Sequence, residues 1–207
     1  MTRIKCCGIT RVDDVQLASR LGADAVGFVM TRKSKRFVDP STAATLRDAV
    51  PPFVGIVALV MDDDPAYVAE VVRVLRPDML QFHGVETQAE CAAHGVRWLK
   101  AIAMGEGAPA LARLRDYPAA AGLLLDGHGL GEQGGSGQRF DWSLMPKDLA
   151  QPLILAGGLT ADNVAEAIRV ARPWAVDVSS GIEASPGIKD RAKMERFISA
   201  VRAVPSA

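Results

Sequence analysis

A thiol, a carboxyl group and a few polar side chains end the apolar runs of this chain, where acid–base chemistry is easiest to build. The thiol lies in Cys6-Cys7-Gly8, closing a run that begins at Ile4. Alternation along a strand sends Cys6 and Cys7 to opposite faces, so one of them is a small hydrophobe and the other can face an interior. Cys7, beside Gly8 at the end of the run, is better placed for chemistry, and two structural cysteines are the equally weighted alternative. Asp126 closes Leu123-Leu124-Leu125. Partial desolvation there should raise its pKa and suit it to give a proton, whereas the plain alternative is a cap or salt-bridge partner. Gln81 and His83 are two residues apart and share a strand face, with His83 read as a hydrogen-bonded structural residue. Asp177 sits in Asp177-Val178-Ser179-Ser180-Gly181. Arg36 ends the charged run Arg32-Lys33-Ser34-Lys35-Arg36; such a run is mostly a solvated surface, but one guanidinium turned inward could clamp a carboxylate through two N–H groups.

These residues need elements to hold them. Eight apolar runs recur along the chain: Ile4–Ile9, Ala25–Met30, Val54–Met61, Met79–Phe82, Trp98–Ala103, Gly122–Asp126, Leu153–Ala156 and Ala175–Val178. Helical patterns separate them. Asp64-Pro65 is a cap followed by proline at the first helical position, and Val68, Val71, Val72 and Leu75 then form one apolar face. Met194, Phe197, Ile198 and Val201 repeat that spacing behind Asp190. Thr10 with Asp13 resembles a capping box, Asp39-Pro40 opens the second helix and Thr160 the seventh. The fourth and fifth helices are short, and Phe140–Met145 barely makes a sixth. Strands alternating with helices imply a parallel sheet. Eight short runs of similar length favour closure into an α/β (β/α)8 TIM barrel over an open doubly wound sheet.

In such a barrel the residues singled out above converge on one mouth, at the C-terminal ends of the strands. The last quarter of the chain then supplies an anion site. Ala156-Gly157-Gly158 ends the seventh run, and Ser179-Ser180-Gly181 ends the eighth. Glycines let the backbone approach a ligand, and exposed N–H groups favour a phosphate. Ordinary turn glycines are the bland alternative, but two Gly/Ser clusters fall in the two loops where this fold usually holds phosphate. A glycine-dense stretch, Gly127, Gly129, Gly131, Gly134, Gly135 and Gly137, reads as a lid or substrate loop over 127–139, with His128 incidental to it.

With 207 residues, 49% of them hydrophobic, the chain can bury a sizeable core, and one domain over 1–207 is expected. Basic and acidic residues balance at 24 each, so bulk charge points to no nucleic acid and no membrane surface. Three cysteines, two of them adjacent, fit neither a disulfide framework nor metal-ligand spacing, and a reducing cytoplasm is the expected compartment. No signal-peptide core and no apolar stretch near the roughly 20 residues of a membrane span occurs. A monomer is expected, with a homodimer as the alternative.

Several motifs together resemble the phosphoribosylanthranilate isomerases. Lys5-Cys6-Cys7-Gly8-Ile9-Thr10 is similar to the family's opening, and Gly22 to Phe28 with Ser34-Lys35-Arg36 to its second-strand signature. Gln81-Phe82-His83-Gly84, Leu125-Asp126, Gly134-Gly135-Ser136-Gly137 with Phe140-Asp141-Trp142, Ala156 to Leu159, and Val176 to Glu183 match further motifs. The resemblance runs from Ile4 to about Phe197. It implies an isomerase of tryptophan biosynthesis, catalysing the Amadori rearrangement of N-(5'-phosphoribosyl)anthranilate to 1-(o-carboxyphenylamino)-1-deoxyribulose 5-phosphate. By that resemblance Asp126 is the general acid and Cys7 the general base. Arg36 holds the anthranilate carboxylate, Gly157, Gly158, Ser180 and Gly181 the phosphate, and Asp177 orients the sugar, with Gln81 and His83 as further substrate contacts. No cofactor and no metal are implied, and the partner is a small phosphosugar. The chain departs from the pattern at Met30-Thr31-Arg32, at Cys6 and at Gly127. The rival enzyme is a metal-dependent sugar-phosphate epimerase using His83, Asp126 and Asp177, disfavoured because no second histidine ends a strand. A non-catalytic phosphosugar-binding barrel is the rival of another class.

Overall fold

The computed structural model describes residues 1–129 and 139–205. Eight parallel strands follow one another round a closed barrel: β1 (Arg3–Cys7), β2 (Ala25–Val29), β3 (Gly55–Val60), β4 (Met79–Phe82), β5 (Trp98–Ala103), β6 (Gly122–Asp126), β7 (Leu153–Leu155) and β8 (Ala175–Val178). The last strand pairs with the first, Ile4 opposite Val176 and Lys5 opposite Asp177, and that ladder rules out the open sheet. The first strand ends before Gly8, whose φ of 72° turns the chain away from extended geometry.

Around the barrel lie α1 (Val12–Leu21), α2 (Pro40–Asp48), α3 (Pro65–Leu75), α4 (Gln88–Ala92), α5 (Val164–Ala171) and α6 (Arg191–Arg202). A 3₁₀ helix, Ala108–Asp116, stands between β5 and β6, and the stretch Phe140–Met145 supports only the 3₁₀ turn Trp142–Leu144. Three expected caps form. Asp39 accepts from the Ser41 and Thr42 amides, Asp64 from Ala66 and Asp190 from Lys193, each such cap contributing about 1 kcal/mol. The Thr10–Asp13 capping box does not form: Arg11 precedes α1 without a side-chain cap, and the Thr10 hydroxyl donates instead to the Gly187 carbonyl, a tertiary acceptor invisible to local spacing. Nor does a helix open at Thr160. The Asn163 carboxamide accepts from the Thr160 amide and donates to the Gly158 carbonyl, both at 2.9 Å, so a turn intervenes before α5.

Period-two alternation sorts the side chains. Ile4, Cys6, Leu80, Phe82, Leu123, Leu125, Val176 and Val178 point outward into the main core. There they meet Val68, Val71 and Leu75 of α3 and Met194, Phe197, Ile198 and Val201 of α6. Each such large side chain stabilises the fold by about 1.5–3 kcal/mol relative to exposure. Inside the barrel, Leu99, Ala101, Leu124, Ile154, Ala156 and Ala175 form a separate apolar plug. Toward the C-terminal ends of the strands the interior turns polar, with Lys5, Gln81, Asp126 and Asp177 all buried. A two-stranded antiparallel hairpin that periodicity did not reveal, β9 (Glu183–Ser185) and β10 (Ile188–Lys189), follows β8.

Candidate active site

The C-terminal ends of the strands open into a cleft of about 690 Å³, counting its mouth, a volume suited to a small ligand. Cys7, Arg36, Gln81, His83, Asp126, Gly157, Gly158, Asp177, Ser180 and Gly181 all line it. Cys6 does not; it is fully buried on the helix side of β1.

One end of the cleft is built from backbone. Gly157 and Gly158 have φ of 84° and 61°, in the left-handed region that other residues avoid. A Cβ placed on Gly181 would stand 1.9 Å from the Leu159 carbonyl oxygen, so the loops after β7 and β8 approach to a distance only glycine allows. Among the described residues the buried Ser179 hydroxyl beside them has no hydrogen-bond partner. A buried polar group left unpaired costs about 1–3 kcal/mol, which an anionic ligand in this corner would recover.

The rest of the cleft is built from side chains. Cys7 and Lys5 both lie over Gly27: a Cβ there would come within 2.9 Å of the Cys7 sulfur and 3.0 Å of Lys5 Cε. The absent side chain at 27 is what admits the thiol to the interior. Lys5 Nζ donates to Asp177 Oδ1 at 2.9 Å. Burial works against the Lys5 charge, but the Asp177 carboxylate outweighs it and holds the ammonium well above the ordinary lysine range. Burial pushes the Cys7 thiol up, and the nearby Lys5 ammonium only partly offsets it. Asp177 therefore has one carboxylate oxygen engaged by Lys5.

Asp126 departs from expectation. Burial does act to raise it, but hydrogen bonding from His128 and the electrostatic influence of the two neighbouring imidazoles prevail and hold the carboxyl below its ordinary value. The His128 amide donates to Asp126 Oδ1 at 3.4 Å, His128 Nδ1 stands 3.2 Å from the same oxygen, and His83 Nε2 stands 3.7 Å from Oδ2. His128 is thus not incidental: it is buried against Asp126 and stacks on His83, ring centroids 4.7 Å apart. The remainder of the expected lid, 130–138, lies outside the described residues. Gln81 Nε2 meets His83 Nδ1 at 3.2 Å, and burial lowers the His83 pKa to about 3, so its ring is neutral at physiological pH. Among the described residues, Gln81 Oε1, His83 Nε2 and His128 Nδ1 lack hydrogen-bond partners.

The premise that no second histidine ends a strand also falls. His83, Asp126 and His128 bring three ligand-type atoms within 4.8 Å of one another. Their orientation does not make a metal cage, however. The two rings are inclined by only 22°, and imidazole lone pairs lie in the ring plane, so both cannot aim at one ion about 2.1 Å away unless a ring turns.

Arg36 reaches the cleft from the loop after β2 in a held posture. Its Nε and Nη2 donate to Glu183 Oε1 and Oε2, both at 2.8 Å. Burial acts to raise the Glu183 carboxyl, yet hydrogen bonds from Arg36 and Lys189 hold it below the usual carboxylate range. Lys5, His128, Glu183 and Lys189 are the site residues that sequence reasoning missed. A lysine two residues before the thiol, on the same strand face, was the one legible signal among them.

A closed β/α barrel whose mouth pairs a backbone anion cradle with a thiol and a carboxyl is the architecture of a phosphosugar-handling enzyme. A family model described as N-(5'phosphoribosyl)anthranilate (PRA) isomerase matches residues 4–200. The namesake protein of Thiobacillus denitrificans is 54% identical, with 97% of this chain and 98% of the relative covered. That of Xanthomonas campestris is 50% identical over 97% and 93%. Among solved structures, phosphoribosyl anthranilate isomerase from Thermotoga maritima superposes with a TM-score of 0.90 at 39% identity, covering 98% of this chain and 99% of the other. Another isomerase structure, in complex with reduced 1-(o-carboxyphenylamino)-1-deoxyribulose 5-phosphate, gives 0.87 at 36% identity, covering 98% and 99%. The chain belongs to the N-(5'-phosphoribosyl)anthranilate isomerase family, and it is an isomerase of tryptophan biosynthesis. Among the described residues no helix is long and apolar enough to cross a membrane.

Proposed function

We propose that the cleft carries out the rearrangement of N-(5'-phosphoribosyl)anthranilate with Asp126 as acid and Cys7 as base. Asp126 gives its proton to the ribose ring oxygen while the C1'–O bond breaks, and the anilino nitrogen lone pair completes an iminium. The Cys7 thiolate then takes the C2' proton, the C–H electrons flow into the iminium, and the resulting enolamine tautomerises to the ketone. The iminium is an electron sink made from the substrate itself, so the sequence needs no cofactor.

Both groups start on the wrong side of neutrality, the thiol raised and the carboxyl lowered. The substrate would correct both. Its phosphate and carboxylate bring negative charge and expel water, which raises Asp126; the iminium, once formed beside Cys7, pulls the thiol down. Gly157, Gly158, Ser180 and Gly181 hold the phosphate, Arg36 takes the anthranilate carboxylate on the edge that Glu183 leaves open, and Asp177, Gln81 and His83 orient the sugar. We propose further that the protein acts as a monomer in the cytoplasm, a reading supported by the biosynthetic family to which the chain belongs.

The observation that carries this reading is that Cys7 and Asp126, inward-facing on β1 and β6, line the same cleft as the glycine cradle. Its test is the conversion assay on Cys7→Ala, Asp126→Ala and Cys6→Ala, with and without chelator. The first two should lose at least about a hundredfold in kcat with an unchanged circular dichroism spectrum. Cys6→Ala should stay near the parent, and chelator should change nothing. Loss in Cys6→Ala with activity kept in Cys7→Ala would refute the assignment, and binding without turnover in the parent would favour the non-catalytic barrel.

A further inference from the structure

We infer that Glu183, braced by Lys189, is a positioning residue that selects the anthranilate end of the substrate by fixing the plane of Arg36. The inference rests on the assignment of Arg36 to the anthranilate carboxylate made above.

An arginine side chain has four freely turning bonds, and a guanidinium recognises a carboxylate well only when its plane and edge are presented in register. Holding that plane in advance removes ordering entropy from the binding step. Here the holding is complete on one edge. Both Glu183 oxygens engage Nε and Nη2 at 2.8 Å, which leaves the Nη1 side of the fork for a ligand. The Arg36 and Glu183 side chains are 12% and 5% exposed, so solvent barely screens the pair.

Glu183 is in turn fixed from behind. Lys189 Nζ, with no solvent exposure, donates to Glu183 Oε1 at 2.9 Å, to the Cys7 carbonyl at 2.6 Å and to the Ser179 carbonyl at 3.3 Å. The Gly187 amide adds a further donor to Glu183 Oε1 at 3.2 Å. One buried ammonium thus ties the end of β1, the end of β8 and the Arg36 clamp into one body. The hairpin β9–β10 supplies both Glu183 and Lys189, and Arg11 secures it from outside, bonding Asp14 and the Lys189 carbonyl while Asp14 accepts from the Lys189 amide. A bare guanidinium in the cleft would attract phosphate as readily as carboxylate. Held by Glu183, it offers one oriented edge, which suits a planar carboxylate of fixed geometry at that end and leaves the phosphate to the backbone cradle.

The test compares Glu183→Gln, Arg36→Ala and the double variant in the intact protein. Affinities are measured for the reduced anthranilate-bearing product and for ribose 5-phosphate, together with kcat and KM. Arg36→Ala alone should weaken the anthranilate ligand and spare ribose 5-phosphate; if it does not, the role given to Arg36 fails. With that established, Glu183→Gln should weaken the anthranilate ligand by about tenfold, the scale of one charge-assisted hydrogen bond, raise KM by a similar factor and change ribose 5-phosphate affinity less than about twofold. In the Arg36→Ala background it should do nothing more. Glu183→Asp keeps the charge facing Lys189 but withdraws it from Arg36, so it should show a smaller loss of the same selectivity and serves if the Gln variant folds poorly. Equal loss for both ligands, no loss for either, or a full Glu183→Gln effect persisting without Arg36 would overturn the inference.

Discussion

The two ends of the cleft are made of different material. At the proposed phosphate end the chemistry belongs to the main chain: Gly157, Gly158 and Gly181 contribute little but the space they leave, and the loop after β7 is pinned by Asn163. At the acid–base end it belongs to side chains, each with a charge that depends on its neighbours. A backbone cradle has no proton to lose and no rotamer to choose, so it should be insensitive to pH and intolerant of bulk. A side-chain site should be the reverse, tunable and easily detuned.

The largest test of that contrast is Gly181→Ala. Its methyl would meet the Leu159 carbonyl oxygen at 1.9 Å, so the two loops must part. We expect kcat/KM to fall by about a hundredfold, nearly all in KM, with ribose 5-phosphate affinity falling in parallel by calorimetry. A loss confined to kcat would mean that the cradle is not where the phosphate binds. Next comes Gly27→Ala, which crowds the Cys7 sulfur at 2.9 Å. Here kcat should fall about tenfold while ribose 5-phosphate affinity holds, because the crowding falls on Cys7 and Lys5 and not on the glycine cradle. If phosphate affinity fell equally, the two ends would not be separable.

The third test reads stability instead of turnover. His83 titrates near 3 in the folded protein, below the ordinary histidine value, because burial disfavours its charge. The unfolded chain therefore binds the proton first as pH falls, and folding stability drains away from about pH 6.5 downward toward 3, by at most about 1.4 kcal/mol per pH unit. Thermal unfolding followed from pH 7 to 4 should show a shallower decline in His83→Asn than in the parent. Parallel declines would assign the acid sensitivity to other groups.

The same contrast explains what could be read from sequence. Glycines before and after a strand announce a close backbone approach by themselves, so the cradle was legible from Gly157, Gly158 and Gly181. Strand ends and alternation placed Cys7, Gln81, His83, Asp126 and Asp177 in the mouth, and the apolar spacing held for every named residue of α6 and for those of α3 except Val72, which is only partly buried. Protonation was not legible. Burial of Asp126 could be foreseen, but the histidines that outweigh it arrive from just past β4 and from the loop after β6. Glu183 and Lys189 belong to a short hairpin with no periodicity to betray it. The Thr10 hydroxyl lost its helix-capping role to a carbonyl 177 residues away, which local patterning cannot weigh.

The Lys5–Asp177 bond joins residues 172 positions apart across the seam where the ring closes. A ribosome must therefore make almost the whole protein before that lysine meets its counter-ion. Until the eighth stave docks, the thiol's neighbour is an unpaired cation on an open edge strand, and the nascent chain has no working mouth. Assembly of the reaction centre and completion of the barrel are consequently one late event, slow to reach because the contact spans nearly the full chain.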